Sequence, residues 1–213
     1  MASRAVASSV RNLGRLNISS TAFLLCDVQE RFRQGIHAFE CVVQVAQKMS
    51  KASRILNVPL IVTEQYSKGL GHTAEEINIE HAALVDEKSK FSMYTPNVAK
   101  KLEELEIKSI VIYGIESHVC VLQTCLELLE NNFDVHVLAD GVSSMNHPEI
   151  DIALKRLANE GAHVVSSETI IFQLTNDSQS PQFKAISGLV KEFQSLGRQN
   201  KLLFKSNNAS AQL

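Results

Sequence analysis

The chain has 213 residues, enough for one sizeable hydrophobic core and short for two. Its 45% hydrophobic and 21% charged content fits an ordinary globular protein. A formal net charge of −2 without a long basic stripe gives no electrostatic footprint for nucleic acid, and no apolar run approaches the roughly 20 residues that span a bilayer.

Residues 1–20 carry Arg4, Arg11 and Arg15 and five serines, and the first acidic residue is Asp27. That composition suits a mitochondrial transit peptide, and equally a flexible leader on a cytoplasmic protein, which is the expectation adopted. Thr21 to Cys26 is a continuous apolar run, as expected of a strand covered on both faces, and it ends at Asp27. A helix follows from about 37 to 56, with Phe39, Val42, Val43, Ala46, Met49 and Leu56 on one stripe. The run 59–63 reads as the second strand, and the glycine-bearing loop 64–71 lies at its carboxyl end. Residues 72–94 show no periodicity and are expected to be irregular.

Thr95-Pro96 opens a helix, threonine capping and proline at the first helical position. Ser109 to Tyr113 is another apolar strand, Gly114 turns the chain, and a helix from about 118 to 130 carries Cys120 at its head. A strand is expected at 134–138. A helix opened by His147-Pro148 is stopped by Gly161, and a strand at 162–165 and a short helix near 168–174 follow. The last helix runs from Pro181 to about Gln194, and the tail 196–213 is expected to be loose.

Strands and helices alternate, which calls for an α/β fold: a three-layer α/β/α sandwich around a mostly parallel sheet. Ligands of such sheets gather outside the carboxyl ends of the strands. Asp27, Glu64 with Gln65, Gly114 to Cys120, and Asp140 follow strands and should therefore share one rim.

The four cysteines, Cys26, Cys41, Cys120 and Cys125, form no C-x-x-C pair and have no metal-finger spacing, which fits a reduced protein. At a helix N-terminus the free N–H groups and the positive dipole end favour thiolate, so Cys120 is the candidate nucleophile. A small buried hydrophobe is the bland alternative. Asp27 could be a mere cap, and Lys88 and Lys90 mere solvated cations. Together with Cys120 they supply a thiol, a carboxylate base and a cation. No G-x-G-x-x-G, P-loop, G-x-S-x-G or H-x-x-x-H pattern is present, so no nucleotide cofactor or metal is expected.

These residues carry a family resemblance. The segments Leu24-Leu-Cys-Asp-Val-Gln-Glu-Arg-Phe32, Val62-Thr-Glu-Gln-Tyr-Ser-Lys-Gly-Leu-Gly71, Lys88-Ser-Lys-Phe-Ser-Met93, Gly114-Ile-Glu-Ser-His-Val-Cys-Val-Leu-Gln-Thr124 and Ala139-Asp-Gly-Val-Ser-Ser144 occur in order. Jointly the chain resembles the isochorismatase-like cysteine hydrolases, closest to the eukaryotic isochorismatase domain-containing proteins, over a domain of about 21–195.

The resemblance implies an Asp-Lys-Cys triad of Asp27, Lys88 and Cys120; Lys88 is preferred to Lys90 because the family lysine stands four residues before a serine, here Ser92. It also implies a non-proline cis peptide at Ile115–Glu116, an oxyanion site made by the N–H groups of Glu116 and Cys120, and a homo-oligomer, a dimer or higher. Gln29, Phe32, Gln65, Tyr66, Phe91 and Met93 are the expected pocket residues. Metal-binding nicotinamidases of the superfamily carry Asp-x-His after the second strand; Glu64-Gln-Tyr66 stands here, so no metal is expected. Family members that cleave a vinyl ether lack the nucleophilic cysteine. The expectation is therefore covalent hydrolysis of a small amide or related acyl substrate. A binding or scaffold protein without turnover, and isochorismate hydrolysis, are the alternatives.

Overall fold

The computed structural model describes residues 13–203. Six strands form one parallel sheet in the order β3-β2-β1-β4-β5-β6. They are β1 (Thr21–Cys26), β2 (Leu60–Gln65), β3 (Leu84–Lys88), β4 (Ser109–Ile115), β5 (Asp134–Ser143) and β6 (His163–Val165). The helices are α1 (Phe39–Leu56), α2 (Ser67–Leu70), α3 (Pro96–Glu104), α4 (Leu122–Glu130), α5 (Pro148–Asn159), α6 (Ser167–Thr175) and α7 (Phe183–Gly197).

The pleat sends alternate side chains to opposite faces, which divides the core in two. Phe23, Leu25, Leu60, Val62, Val111 and Tyr113 pack under α1, α6 and α7. Ala22, Leu24, Cys26, Ile61, Ile110 and Ile112 pack under α3, α4 and α5. The expected three-layer sandwich is the observed one. Both central strands, β1 and β4, are wholly buried, which is why neither shows polar alternation in sequence.

The strand order reverses between β1 and β4, the place where a parallel sheet opens a crevice at its carboxyl edge. Cys26 is in register with Gly114 there. The two backbones approach so closely that a Cβ on Gly114 would lie 2.1 Å from the Cys26 carbonyl oxygen, and Gly114 adopts φ +125°. Only glycine fits both constraints.

Several expectations are corrected. The segment 72–94 contains β3, an edge strand in register with β2 whose alternating exposed and buried residues include Asp86 and Lys88. Its polar composition, suited to a sheet edge, concealed it. β5 extends to Ser143 through an irregularity opposite Ile112 and Gly114, so Asp140 lies inside the strand. In the tail expected to be loose, Asn200 is buried and its amide donates to the Asp140 carbonyl at 2.9 Å. Residues 204–213, and 1–12 of the expected leader, lie outside the described residues. Among the described residues no helix is long and apolar enough to cross a membrane.

Candidate active site

Asp27 is the first residue beyond β1 and takes a left-handed backbone, φ 51°, that bends the chain out of the sheet. Its side chain stays buried. One carboxylate oxygen accepts the Thr63 hydroxyl at 2.7 Å, and the other accepts Lys88 Nζ at 2.7 Å. Lys88 ends β3, two strands away, and reaches Asp27 past Gln65, its register partner on β2. The ammonium also donates to Gln65 Oε1 at 2.7 Å, to the Phe91 carbonyl at 2.9 Å and to the Lys90 carbonyl at 3.1 Å. An ammonium has three N–H donors, so Lys88 is saturated by protein.

Cys120 arrives from the other side of the crevice. The Ile115–Glu116 peptide is cis, and Ser117–Val121 form a π-helical turn that leads into α4. The Val119 and Val121 N–H groups both converge on the Glu116 carbonyl at 3.1 Å. Cys120 thus stands in the first turn of a helical segment, between two N–H groups that share the Glu116 carbonyl. Its thiol lies within interaction range of the Asp27 carboxyl and the Cys26 thiol. Burial raises the Asp27 pKa above the ordinary carboxylate range; Lys88 and the Thr63 hydroxyl pull it down but do not offset the desolvation. Burial likewise raises the Cys26 thiol well above its usual range, assisted by Cys120 and the Asp27 charge.

The Asp27 and Cys120 side chains border a cavity of about 380 Å³, with Lys88 paired to Asp27. Phe32, Tyr66, Leu70, Phe91, Ile115 and Val119 form its walls, and Asp27, Gln65, Glu116 and Cys120 its polar points. Of the residues expected at a pocket, Phe32, Gln65, Tyr66 and Phe91 line this cavity. Leu70, Ile115 and Val119 line it as well, although the sequence reading did not place them at the pocket.

Gln29 and Met93 are corrections. Gln29 is a wholly buried strut: its Nε2 donates to the Gln65 and Gly71 carbonyls and its Oε1 accepts the Gln65 N–H. It shapes the loop that forms one wall. Met93 is buried under α3 and α4, and its N–H donates to Thr124 Oγ1 at 2.8 Å. Thr124 in turn donates to the Cys120 carbonyl at 2.6 Å, so the loop after β3 and the Cys120 turn are tied together.

Glu64 and Asp140 follow the rim only in sequence. Glu64 accepts the Thr73 N–H and hydroxyl at 2.7 and 2.8 Å and pairs with His72, anchoring the segment after β2. Asp140 accepts the Ser167 N–H at 2.8 Å and borders a separate cavity of about 470 Å³ with Lys48. Lys90 pairs with Glu127 on the surface. Among the described residues no group of three or more His, Cys, Asp or Glu side chains is arranged to hold a metal ion.

Comparisons with known proteins agree with this architecture. The chain is 43% identical over 185 residues to isochorismatase domain-containing protein 1 of Salmo salar, covering 86% of this chain and 65% of that protein. It is 45% identical over 194 residues to the secreted isochorismatase effector Isc1 of Phytophthora sojae, covering 88% and 92%. The solved structure named MAR1 ribonuclease from Caenorhabditis elegans superimposes with a TM-score of 0.80 at 38% identity, covering 83% of this chain and 92% of that one. Residues 21–169 match the isochorismatase domain, and with these relatives the chain belongs to the isochorismatase family.

Proposed function

We infer that the protein is a cysteine hydrolase that cleaves a small amide or related acyl substrate through a covalent thioester on Cys120. Family membership supports a hydrolase. The observation that carries the finer reading is the convergence of a buried, Lys88-held Asp27 and the Cys120 thiol at the foot of one cavity.

In this reading Asp27, its pKa raised by burial, takes the Cys120 proton as the thiolate attacks the carbonyl carbon. Negative charge develops on the carbonyl oxygen, and the N–H groups of Glu116 and Cys120 receive it. Removing one such donor typically costs about 100- to 1,000-fold in rate. Collapse of the intermediate breaks the C–N bond, and Asp27 returns the proton to the departing amine. Water then attacks the thioester, giving up a proton to Asp27, and Cys120 is released as the thiol. Lys88, with its N–H donors committed, positions Asp27 and stabilises its charged form, and does not bind substrate.

A turnover screen of small amides and esters tests the reading, with Cys120→Ala as control and intact-mass detection of an acyl adduct. Turnover that survives Cys120→Ala refutes it. The ribonuclease name of the nematode relative defines a second arm, RNA cleavage. A phosphodiester calls for cations at the reacting phosphate, and no lysine, arginine or histidine lines this cavity among the described residues. That observation favours the acyl reading.

A further inference from the structure

The geometry points to an uncharged acyl group with an apolar body as the occupant of this pocket, with substrates that carry a carboxylate or phosphate on the acyl side turned away. The inference rests on the hydrolase reading and concerns which substrates that site accepts.

The first argument is charge. An anionic substrate group in a mostly apolar pocket needs a cation or a set of free donors to replace its water. Lys88, the cation paired to Asp27, is 5% exposed. Its donors are directed to Asp27, Gln65 and the Phe91 carbonyl, and none is left for a ligand. The carboxylate side chains bordering the cavity beside Cys120 are Asp27 and Glu116. The Glu116 carboxylate accepts the Met145 N–H at 2.8 Å, two residues beyond β5. A second anion would meet two carboxylates at short range with no compensating charge.

The second argument is shape and surface. Phe32, Leu70, Ile115 and Val119 present only carbon to the cavity, and Tyr66 and Phe91 add half-exposed rings. An apolar cavity of about 150 Å³ suffices for benzene. The roughly 380 Å³ here leaves room for a ring or a short alkyl chain beside the reacting carbonyl. The same features disfavour isochorismate, which carries two carboxylates.

Alkylation of Cys120 reads pocket selectivity without requiring turnover. Full-length protein is treated with N-benzyl iodoacetamide, iodoacetamide and an N-(carboxyalkyl) iodoacetamide, and each rate at Cys120 is divided by that reagent's rate with glutathione. The expected order is benzyl above unsubstituted by about ten-fold or more, and carboxyalkyl below unsubstituted by a similar factor. Leu70→Arg, at a half-buried wall position outside the triad, should raise the relative rate of the carboxyalkyl reagent. Equal rates, preference for the carboxylate, or failure of the neutral reagents to reach Cys120 overturns the inference.

A parallel turnover arm with neutral and ω-carboxylated acyl esters separates the two claims. Selective labelling without turnover leaves the pocket chemistry standing and removes the hydrolase. Turnover that prefers the carboxylated esters keeps the hydrolase and removes the selectivity.

Discussion

Lys88 Nζ stands 2.7 Å from Oδ2 of Asp27, and the two side chains are only 1% and 2% exposed. Breaking a buried pair by removing one partner strands the other charge and costs about 3–5 kcal/mol. Lys88→Met should therefore lower unfolding free energy by that amount in urea titrations and slow Cys120 alkylation. The double change Asp27→Asn with Lys88→Met should recover part of the stability and none of the reactivity. Recovery of both would mean that the pair serves folding alone.

In the proposed mechanism the raised Asp27 pKa sets the acid limb of activity. A base accepts a proton only when ionised, so kcat/KM should be retained above the Asp27 pKa and lost as pH falls through it. The limb should lie above the ordinary value of about 3.9. Asp27→Asn should remove activity across the whole range.

The thiols should react in a definite order. Burial raises Cys26 and Cys125 above the usual thiol range, and both are 0% exposed, whereas Cys120 is 8% exposed at the cavity floor. Limiting iodoacetamide at neutral pH should label Cys120 ahead of Cys26 and Cys125, as read by peptide mass spectrometry. Earlier labelling of Cys26 would contradict the assigned geometry.

Two glycines should respond oppositely to alanine. Gly114→Ala drives a methyl into the Cys26 carbonyl in a backbone region closed to side chains. It should cost upwards of about 3 kcal/mol or abolish soluble expression. Gly188→Ala, in α7 with nothing within 4 Å of the added carbon, should stabilise by about 0.5–1 kcal/mol. Denaturation midpoints of the two variants check both signs.

His136 should make the fold acid-sensitive. It is 1% exposed, neither ring nitrogen has a hydrogen-bond partner, and its ring stacks on His163 at 4.8 Å. Burial, with a smaller contribution from His163, pulls its pKa down to about 4. The unfolded chain, with an ordinary value near 6.5, binds the proton first as pH falls. The stability is fully present above about pH 6.5 and is lost as pH drops toward 4, about 2 kcal/mol by pH 5. His136→Leu should flatten that dependence in urea titrations at pH 7 and 5.

The chain order of elements, the parallel sheet and the two buried central strands could be read from sequence, because covered strands and amphipathic helices write their burial into local periodicity. Asp27 and Cys120 could be named because both follow apolar runs at the carboxyl edge of that sheet. β3 could not be: an edge strand with alternating charge has no apolar run, and its partner β2 supplies the pairing.

Gln29, Met93 and Asp140 show the same limit from the side of the site. Each lies near a motif in sequence, and the direction of its side chain is settled by the groups it meets across the sheet: Gly71 for Gln29, Thr124 for the Met93 backbone, Ser167 for Asp140. By itself the sequence determined the fold class and the residues carrying a thiol, a carboxylate and an ammonium. Only the tertiary structure decided that Lys88 is saturated by protein oxygens and that the cavity beside Cys120 has mostly carbon walls and, among the described residues, no lysine, arginine or histidine. Hydrogen-bond saturation and cavity lining are contacts between segments distant in the chain, and no local pattern encodes them.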